Sequence, residues 1–345
     1  MDILSYTRDQ IAEYMKENGE PEYRAGILFS WLHQKQADSF EVMTDIPKTL
    51  RSRLEADAYI GQIKPVRKQI SRDGTVKYLF RLSDGNCIET VAIFYKTGIT
   101  VCVSSQVGCG RGCSFCASAS GGLVRNLSVS EMLLQVYEAG RDLGGRISNL
   151  VLMGIGEPFD NFCNVMAFCD IISDTKGMNL GRRSITISTC GVVEGIDRLA
   201  ANHMQYTLSV SLHAAKDALR SRLMPVNRIY PLSVLMESCR GYCRKTGRRI
   251  TFEYAVIAGV NDSAADAGEL ALLLSGIDAH INLIPVNSVG NNEYFSSRED
   301  ASDFREKLVG LGLKVTVRRT LGGDVDASCG QLRRQYEAGA IERQR

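Results

Sequence analysis

The sequence predicts an α/β protein built as a partial (β/α)6-type barrel, with a small, mainly helical accessory domain in front of it. From about residue 86 onward, short apolar runs alternate with longer amphipathic segments, the pattern of parallel βα units. Six or seven such units follow one another without a dinucleotide-binding glycine fingerprint, which favours a barrel over a doubly wound sheet. Polar and glycine-rich motifs come directly after the apolar runs, at the strand ends where barrel proteins place their sites.

In chain order, residues 1–85 form the accessory domain and residues 86–345 the core. Ile11, Tyr14 and Met15 mark one apolar helical stripe, and Ile27, Leu28, Trp31 and Leu32 mark another after Pro21. Asp45-Ile46-Pro47-Lys48 opens a third helix, and residues 76–82 read as a strand before the turn Ser83-Asp84-Gly85-Asn86. Core strands are expected at 100–104, 149–153, 184–188, 206–211, 250–256, 280–284 and 313–317. The three-cysteine loop follows the first of these. Gly154-Ile155-Gly156-Glu157-Pro158 follows the second, Ser188-Thr189-Cys190-Gly191 ends the third and Ser211-Leu212-His213 ends the fourth. Ile284-Pro285-Val286-Asn287 ends the sixth, and Ala327-Ser328-Cys329-Gly330-Gln331 lies beyond the last. Side chains from several strands can therefore converge on one ligand at one rim.

A chain of 345 residues can bury a sizeable core. No apolar run approaches the ~20 residues of a membrane helix, and the start Met1-Asp2-Ile3-Leu4-Ser5 lacks the regions of a signal peptide. A cytoplasmic protein is expected, whose eleven Cys stay reduced and whose clustered Cys are metal or redox candidates. The net charge of +2 identifies no partner, but nine Lys or Arg stand against three acids between Lys48 and Arg81. That stretch is either a phosphate-facing surface or a solvated basic face.

The most informative run is Gly108-Cys109-Gly110-Arg111-Gly112-Cys113-Ser114-Phe115-Cys116. Four Cys normally hold a [4Fe-4S] cube, so a three-Cys set leaves one iron open for a ligand that is not protein. The glycines let the backbone wrap closely and supply amide donors to the sulfurs. A structural zinc site is the alternative, closed by Cys102, His203 or His213, although the matching second cysteine pair of such sites is missing.

Cys-x3-Cys-x2-Cys after a barrel strand, followed by a Gly-Glu-Pro loop, resembles the radical S-adenosylmethionine enzymes. The match narrows with Cys102-Val103-Ser104-Ser105-Gln106-Val107-Gly108-Cys109, Arg125-Asn126-Leu127, Met153-Gly154-Ile155-Gly156-Glu157-Pro158, Ser211-Leu212-His213-Ala214 and Cys329-Gly330-Gln331-Leu332. Together they resemble the RlmN-type RNA adenine methyltransferases, in family order from Glu20-Pro21-Glu22-Tyr23-Arg24-Ala25 to the Cys329 segment. Ile155 and Ser328 replace a Met and an Ala common there, both close in size and neither in an assigned role.

The resemblance implies methylation at carbon 2 of an adenine in 23S ribosomal RNA and of an adenine in some transfer RNAs. That carbon is electron-poor and not acidic, so a polar transfer has no nucleophile there and cofactor radical chemistry is called for. It implies one [4Fe-4S] cluster on Cys109, Cys113 and Cys116 and two S-adenosylmethionine molecules per turnover. The cofactor is held at Gly156, Glu157, Ser188, Ser211, Leu212, His213 and Asn287. It further implies that Cys329 carries the methyl group as a thioether, that Cys102 resolves the RNA crosslink through a transient disulfide with Cys329, and that Glu89 accepts the proton. An external electron donor such as a flavodoxin or ferredoxin is implied, and a monomer is the default.

Cys87, Cys163, Cys169, Cys190, Cys239 and Cys243 match no catalytic role and read as structural. The accessory domain and the basic stretch, with Tyr59, are candidates for gripping RNA, assisted by Arg125 and the Arg318-Arg319 pair. The competing readings are a Cfr-type methylation of carbon 8 of the same ribosomal adenine and a zinc-stabilised RNA-binding protein without catalysis. Pro158 after Glu157 favours the carbon 2 branch, since the Cfr pattern has Ala there.

Overall fold

The computed structural model describes residues 1–119, 121–286, 295–319, 321, 332, 333 and 336. It opens with three helices, α1 (Arg8–Glu17), α2 (Tyr23–His33) and α3 (Lys48–Asp57). A capping box starts α1: Thr7 Oγ1 accepts from the Gln10 amide, and the Gln10 side chain accepts from the Thr7 amide. Pro47 precedes α3, where a missing amide proton costs nothing. Of the expected stripes, Ile11, Met15, Leu28 and Leu32 are buried and Tyr14, Ile27 and Trp31 half-buried, and α3 buries Leu50 and Leu54.

The strands are β1 (Lys64–Ile70), β2 (Val76–Arg81), β3 (Cys87–Tyr95), β4 (Gly98–Cys102), β5 (Gln106–Gly108), β6 (Leu123–Asn126), β7 (Ile147–Leu152), β8 (Ile185–Thr189), β9 (Thr207–Ser211), β10 (Ile250–Val256), β11 (Ala279–Pro285) and β12 (Val315–Val317). The later helices are α4 (Val129–Leu143), α5 (Phe162–Ser173), α6 (Val193–Ala201), α7 (Asp217–Leu223), α8 (Leu232–Thr246), α9 (Ala264–Leu273) and α10 (Arg298–Gly310). Ten strands form one sheet in the order β1-β2-β3-β4-β7-β8-β9-β10-β11-β12, and β5 and β6 pair separately. From β4 to β12 the neighbours are parallel and follow chain order, as in a (β/α) barrel and unlike a doubly wound sheet, whose order reverses. The two ends of the sheet, β1 and β12, are not paired with each other among the described residues, so the barrel is partial, as the sequence predicts.

Each expected core strand is present within two residues of its expected ends. β1, β3 and the β5–β6 hairpin were not among the expectations. β1 reads Lys-Pro-Val-Arg-Lys-Gln-Ile and is an exposed edge, and its charges are those an unpaired edge needs. β3 is buried on both faces over its first six residues, so it carries no alternation to read. The boundary expected at residue 85 falls in the β2–β3 hairpin turn, inside the continuous sheet. The helical part gives way to strand between the end of α3 and Lys64.

Candidate active site

In parallel and antiparallel ladders alike, residues directly opposite each other share a face. The register therefore traces one surface across the sheet: Lys77 opposite Val91, Leu79 opposite Glu89, Val91 opposite Cys102, Cys102 opposite Val151, and Val151 opposite Thr186. It continues through Ser188 and Ser209, and through Ser211, Glu253, Asn282 and Thr316. The other face is apolar and covered by helices, as where Tyr254 stacks on Phe304 of α10 at 5.4 Å. A sheet with one helix-covered apolar face and one face that gathers Glu89, Cys102, Ser188, Ser209, Ser211 and Glu253 presents the second face to a ligand.

The cysteine loop leaves β5 at this rim. Gly108 has φ +78°, and a Cβ there would lie 2.0 Å from the Gly122 carbonyl oxygen, which accepts the Cys109 amide at 3.0 Å. Only glycine closes the loop on the β5–β6 hairpin. The Ser114 amide donates to the Leu223 carbonyl of α7 at 2.9 Å, Phe115 meets His213 edge-on at 4.8 Å, and Arg111 pairs with Asp160 beyond β7. The loop is thus clipped to three neighbouring elements.

Burial pushes the Cys113 thiol up to about 12, with the neighbouring Cys116 and Cys109 adding to it. Burial likewise pushes Cys109 up to about 11, against an amide hydrogen bond from Arg111. Such thiols lose their protons to a metal that supplies positive charge. Among the described residues no three His, Cys, Asp or Glu converge as ligands of a single ion. A zinc ion draws four ligands to about 2.3 Å, whereas a cube spreads three thiolates over three irons. The donor set, its spacing and the amide donor to sulfur fit a [4Fe-4S] cluster.

Gly156, at φ +111°, passes so close to Gln106 that a Cβ would lie 2.6 Å from its Cβ. Glu157 is buried, and its two oxygens accept the Phe159 amide at 3.0 Å and the Cys190 amide at 2.7 Å. Burial pushes its carboxyl up while these amides draw it down. The side chain thus ties the loop after β7 to the end of β8.

Ser188 and Ser211 are half-buried on the polar face, and Leu212 is buried in the core. His213 has φ +58°, rare for a side chain with a Cβ, and is held by bonds at both ends. Its Nδ1 accepts the Ala255 amide at 2.8 Å, and its carbonyl accepts from Asn261 at 2.8 Å. Burial pushes its imidazole down to about 3, so the ring is neutral with the proton on Nε2. Asn287 and Cys329 lie outside the described residues.

Glu89 is 3% exposed on the same face as Cys102, which is also buried. Ser104 Oγ donates to the Glu89 carbonyl at 2.6 Å and accepts the Ile155 amide at 3.0 Å, joining β3 to the loop after β7. Lys77 Nζ lies 3.1 Å from Glu89 Oε2, and the Arg333 amide donates to Oε1 at 2.6 Å. Leu332 and Tyr336 pack on Leu79 and Cys87 of this face, and Arg81 bonds the Tyr336 hydroxyl. Residues three, four and seven positions beyond Cys329 in the chain are thereby docked beside Glu89.

Three residues of the site escaped the sequence reading. Arg220 of α7 is fully buried and bonds the carbonyls of Cys190 at 2.8 Å, Ser211 at 3.1 Å and Leu212 at 3.1 Å, with Asn227 at 2.9 Å. It staples the ends of β8 and β9. Glu253 accepts from Ser209 at 3.0 Å and Asn282 at 2.8 Å, and burial pushes its carboxyl up. A lone acid within the apolar run Thr251-Phe252-Glu253-Tyr254-Ala255-Val256 was the available signal. Lys77 within Val76–Arg81 is the third, and the same signal was present.

The expected RNA-facing cations divide. Lys77 is buried, Lys68 pairs with Asp142 at 2.6 Å, and Arg125 is held by Asp84 at 2.7 Å and Glu131 at 2.8 Å, so Arg125 is a clip of the fold. Lys64, Arg318 and Arg319 are exposed and Arg67 is half-buried. A cleft of about 430 Å³ lined by Arg67, Lys68, Tyr78 and Asp142 lies on the α4 side of β1 and β2, away from the polar face.

A profile described as the ribosomal RNA large subunit methyltransferase N-terminal domain matches residues 1–60, and one for the radical SAM superfamily matches residues 103–271. A probable dual-specificity RNA methyltransferase RlmN of Thermoanaerobacter sp. (strain X514) is 50% identical over 97% of this chain and 98% of its own. One of Clostridium novyi (strain NT) is 46% identical over the same shares. The crystal structure of a radical SAM methyltransferase from Sphaerobacter thermophilus superposes with a TM-score of 0.90 at 46% identity, over 96% of this chain and 98% of that one.

Proposed function

Because the chain belongs to the RlmN family of dual-specificity RNA methyltransferases, we propose that it methylates carbon 2 of an adenine in 23S ribosomal RNA and in some transfer RNAs. It is a radical SAM enzyme that uses a [4Fe-4S] cluster and S-adenosylmethionine. Held by Cys109, Cys113 and Cys116, the cluster would supply reductive one-electron chemistry to S-adenosylmethionine, and with it the radical that the electron-poor carbon requires.

Cys109, Cys113 and Cys116 hold the cluster. The main chain of Gly156 and Glu157 and the hydroxyls of Ser188 and Ser211 line the cofactor's place, with Leu212, His213 and Asn287. The His213 Nε2 proton is a donor beside the loop. Cys329 carries the methyl group, which loses one hydrogen atom to the radical and joins carbon 2 as a methylene, and Glu89 accepts the proton from carbon 2 as the adduct gives up its odd electron to the one-electron acceptor that the cluster would supply. The Cys102 thiolate then attacks the Cys329 sulfur. A sulfur–sulfur bond forms as the sulfur–carbon bond breaks, its electron pair goes to the methylene carbon, and a proton completes the methyl group.

The observation that carries this reading is the shared sheet face. Glu89 and Cys102 stand on the same side as Ser188 and Ser211, and Leu332 and Arg333, just beyond Cys329, dock there. The target adenine leaves its stack to reach that face, which single-stranded bends of both RNAs allow. Lys64, Arg67, Arg318 and Arg319 remain as backbone contacts. An external flavodoxin or ferredoxin supplies the electron, and the enzyme acts as a cytoplasmic monomer. No helix among the described residues is long and apolar enough to cross a membrane.

Nucleoside mass spectrometry tests the reading, on unmodified RNA incubated anaerobically with the reconstituted protein, reductant and S-adenosylmethionine. 2-Methyladenosine that disappears with Cys329→Ala is expected. 8-Methyladenosine would move the chain to the Cfr-type branch, and neither product with an intact cluster would overturn the substrate.

A further inference from the structure

We propose that Lys77 is a positioning residue for the proton-accepting carboxylate of Glu89, an inference that rests on the reading of Glu89 as the base. Lys77 is 0% exposed and Glu89 3% exposed, with Nζ 3.1 Å from Oε2. Burying both charges is costly, and two apolar residues would serve the stability of the sheet as well. A fully buried ion pair in a strand pair therefore calls for a use beyond holding the strands together.

The register shows what that use is. Leu79, not Lys77, stands opposite Glu89, and Lys77 stands opposite Val91. Lys77 reaches Glu89 on the diagonal, a distance a long side chain spans across an antiparallel pair. Its contact is with Oε2. The other, Oε1, is turned to the docked C-terminal segment and accepts the Arg333 amide at 2.6 Å. One oxygen is fixed and the other is aimed at the stretch that carries Cys329 in sequence. A general base needs such a fixed bearing toward its proton, and Lys77 supplies it together with the countercharge. Ser104, bonded to the Glu89 carbonyl at 2.6 Å, fixes the main chain from the other side.

The test compares Lys77→Met, Lys77→Arg, Glu89→Gln and the double variant Lys77→Met/Glu89→Gln as reconstituted full-length enzymes with substrate RNA. Released 2-methyladenosine and the covalent RNA–protein adduct that persists on a denaturing gel are both measured. Lys77→Met should lower kcat by at least about tenfold, part of what a general base contributes, with KM for RNA changed less than about twofold, and adduct should accumulate as in Glu89→Gln. Lys77→Arg should regain most of the rate. The double variant should be no slower than Glu89→Gln alone, because positioning has no value once the base is gone.

A Lys77→Met enzyme that is less heat-stable but turns over normally per folded molecule would overturn the proposal, as would additive losses in the double variant. If Lys77→Met does not fold, Lys77→Gln is read in its place. Should every charge-neutral variant fail to fold, the pair belongs to stability and the proposal is overturned. Wild-type turnover by Glu89→Gln would instead remove Glu89 as the base. Adduct with Glu89→Gln but none with Lys77→Met would leave the base standing and remove Lys77 alone.

Discussion

Arg111 and Asp160 form a two-pronged ion pair: Nε of Arg111 donates to Oδ2 at 2.8 Å, and Nη2 to Oδ1. The pair joins the cysteine loop to the loop that carries Gly156 and Glu157. Fork-to-carboxylate contacts of this kind set geometry as well as strength.

Asp160→Asn leaves the partly buried guanidinium without its countercharge, at a cost of about 2 kcal/mol. The loop should loosen while the sheet stays intact. Iron and sulfide retained after dilution into chelator should fall several-fold with an unchanged far-ultraviolet circular dichroism spectrum, and equal retention would show that the loop does not need this clip.

Gly108→Ala meets both the φ of +78° and the carbonyl oxygen of Gly122, 2.0 Å from the new Cβ. The strain has no flexible side chain to absorb it. Reconstituted protein should hold little or no cluster, measured as iron per chain, whereas Gly181→Ala, where nothing lies within 4 Å, should hold a normal load.

Cys102→Ala removes the thiolate that would release the product. Radical addition to RNA should still proceed, so an RNA–protein adduct resistant to denaturant should build up, with free 2-methyladenosine reduced at least about tenfold. Cys329→Ala should give neither product nor adduct. Adduct on the Cys329 variant would move the crosslink to another residue.

Charge reversal of Lys64 and Arg67 should weaken RNA binding and lower the salt slope of log Kd by about 0.7 to 0.9 per lost phosphate contact. Reversal of Lys68, already paired with Asp142, should change the slope less. Binding titrations over a range of salt decide this, and an unchanged slope for Lys64 and Arg67 would place the RNA elsewhere.

His33 is buried beside Phe29 and Tyr137, with Nδ1 2.9 Å from the Tyr137 hydroxyl, and burial pushes its imidazole down to about 3. The unfolded chain takes up this proton near 6.5. Stability from this site is therefore complete above about pH 6.5 and is lost as pH falls toward 3, by about 1.4 kcal/mol per pH unit. Urea unfolding at about pH 7.5 and 5.5 should show a smaller loss for His33→Gln than for the parent chain.

The fold was legible where the sequence alternates. Strands β8 and β9 pair one apolar, helix-covered side with one side of Ser and Thr, the apolar runs of the other core strands marked their positions, and the polar motifs after the runs announced the rim. β3 was silent because Cys87 to Ala92 is buried on both sides, and β1 because an edge strand is written in charges. Cys109, Cys113 and Cys116 stood out as metal candidates by their spacing. Arg220 was not: in sequence it is one of several Arg near a helix, and only the convergence of Cys190, Ser211 and Leu212 carbonyls gives it a place. Lys77 looked like one cation of a basic surface because burial is a property of the fold and charge count is a property of the chain.

The continuity of the sheet through β2, β3 and β4 also decides where the chain can be cut. A fragment beginning at residue 86 would keep Glu89 but lose β2, leaving β3 as a long, mostly apolar strand with a bare hydrogen-bonding edge. Such an edge pairs with other copies. It would also strip Lys77 from Glu89 and the Leu79 floor from Leu332. A fragment beginning between α3 and β1 keeps β1 and β2 beside β3, but it uncovers the side of α4 where Tyr137 meets His33 and shares one core with Leu28, Phe29 and Leu32, so the chain divides at neither border without baring apolar surface.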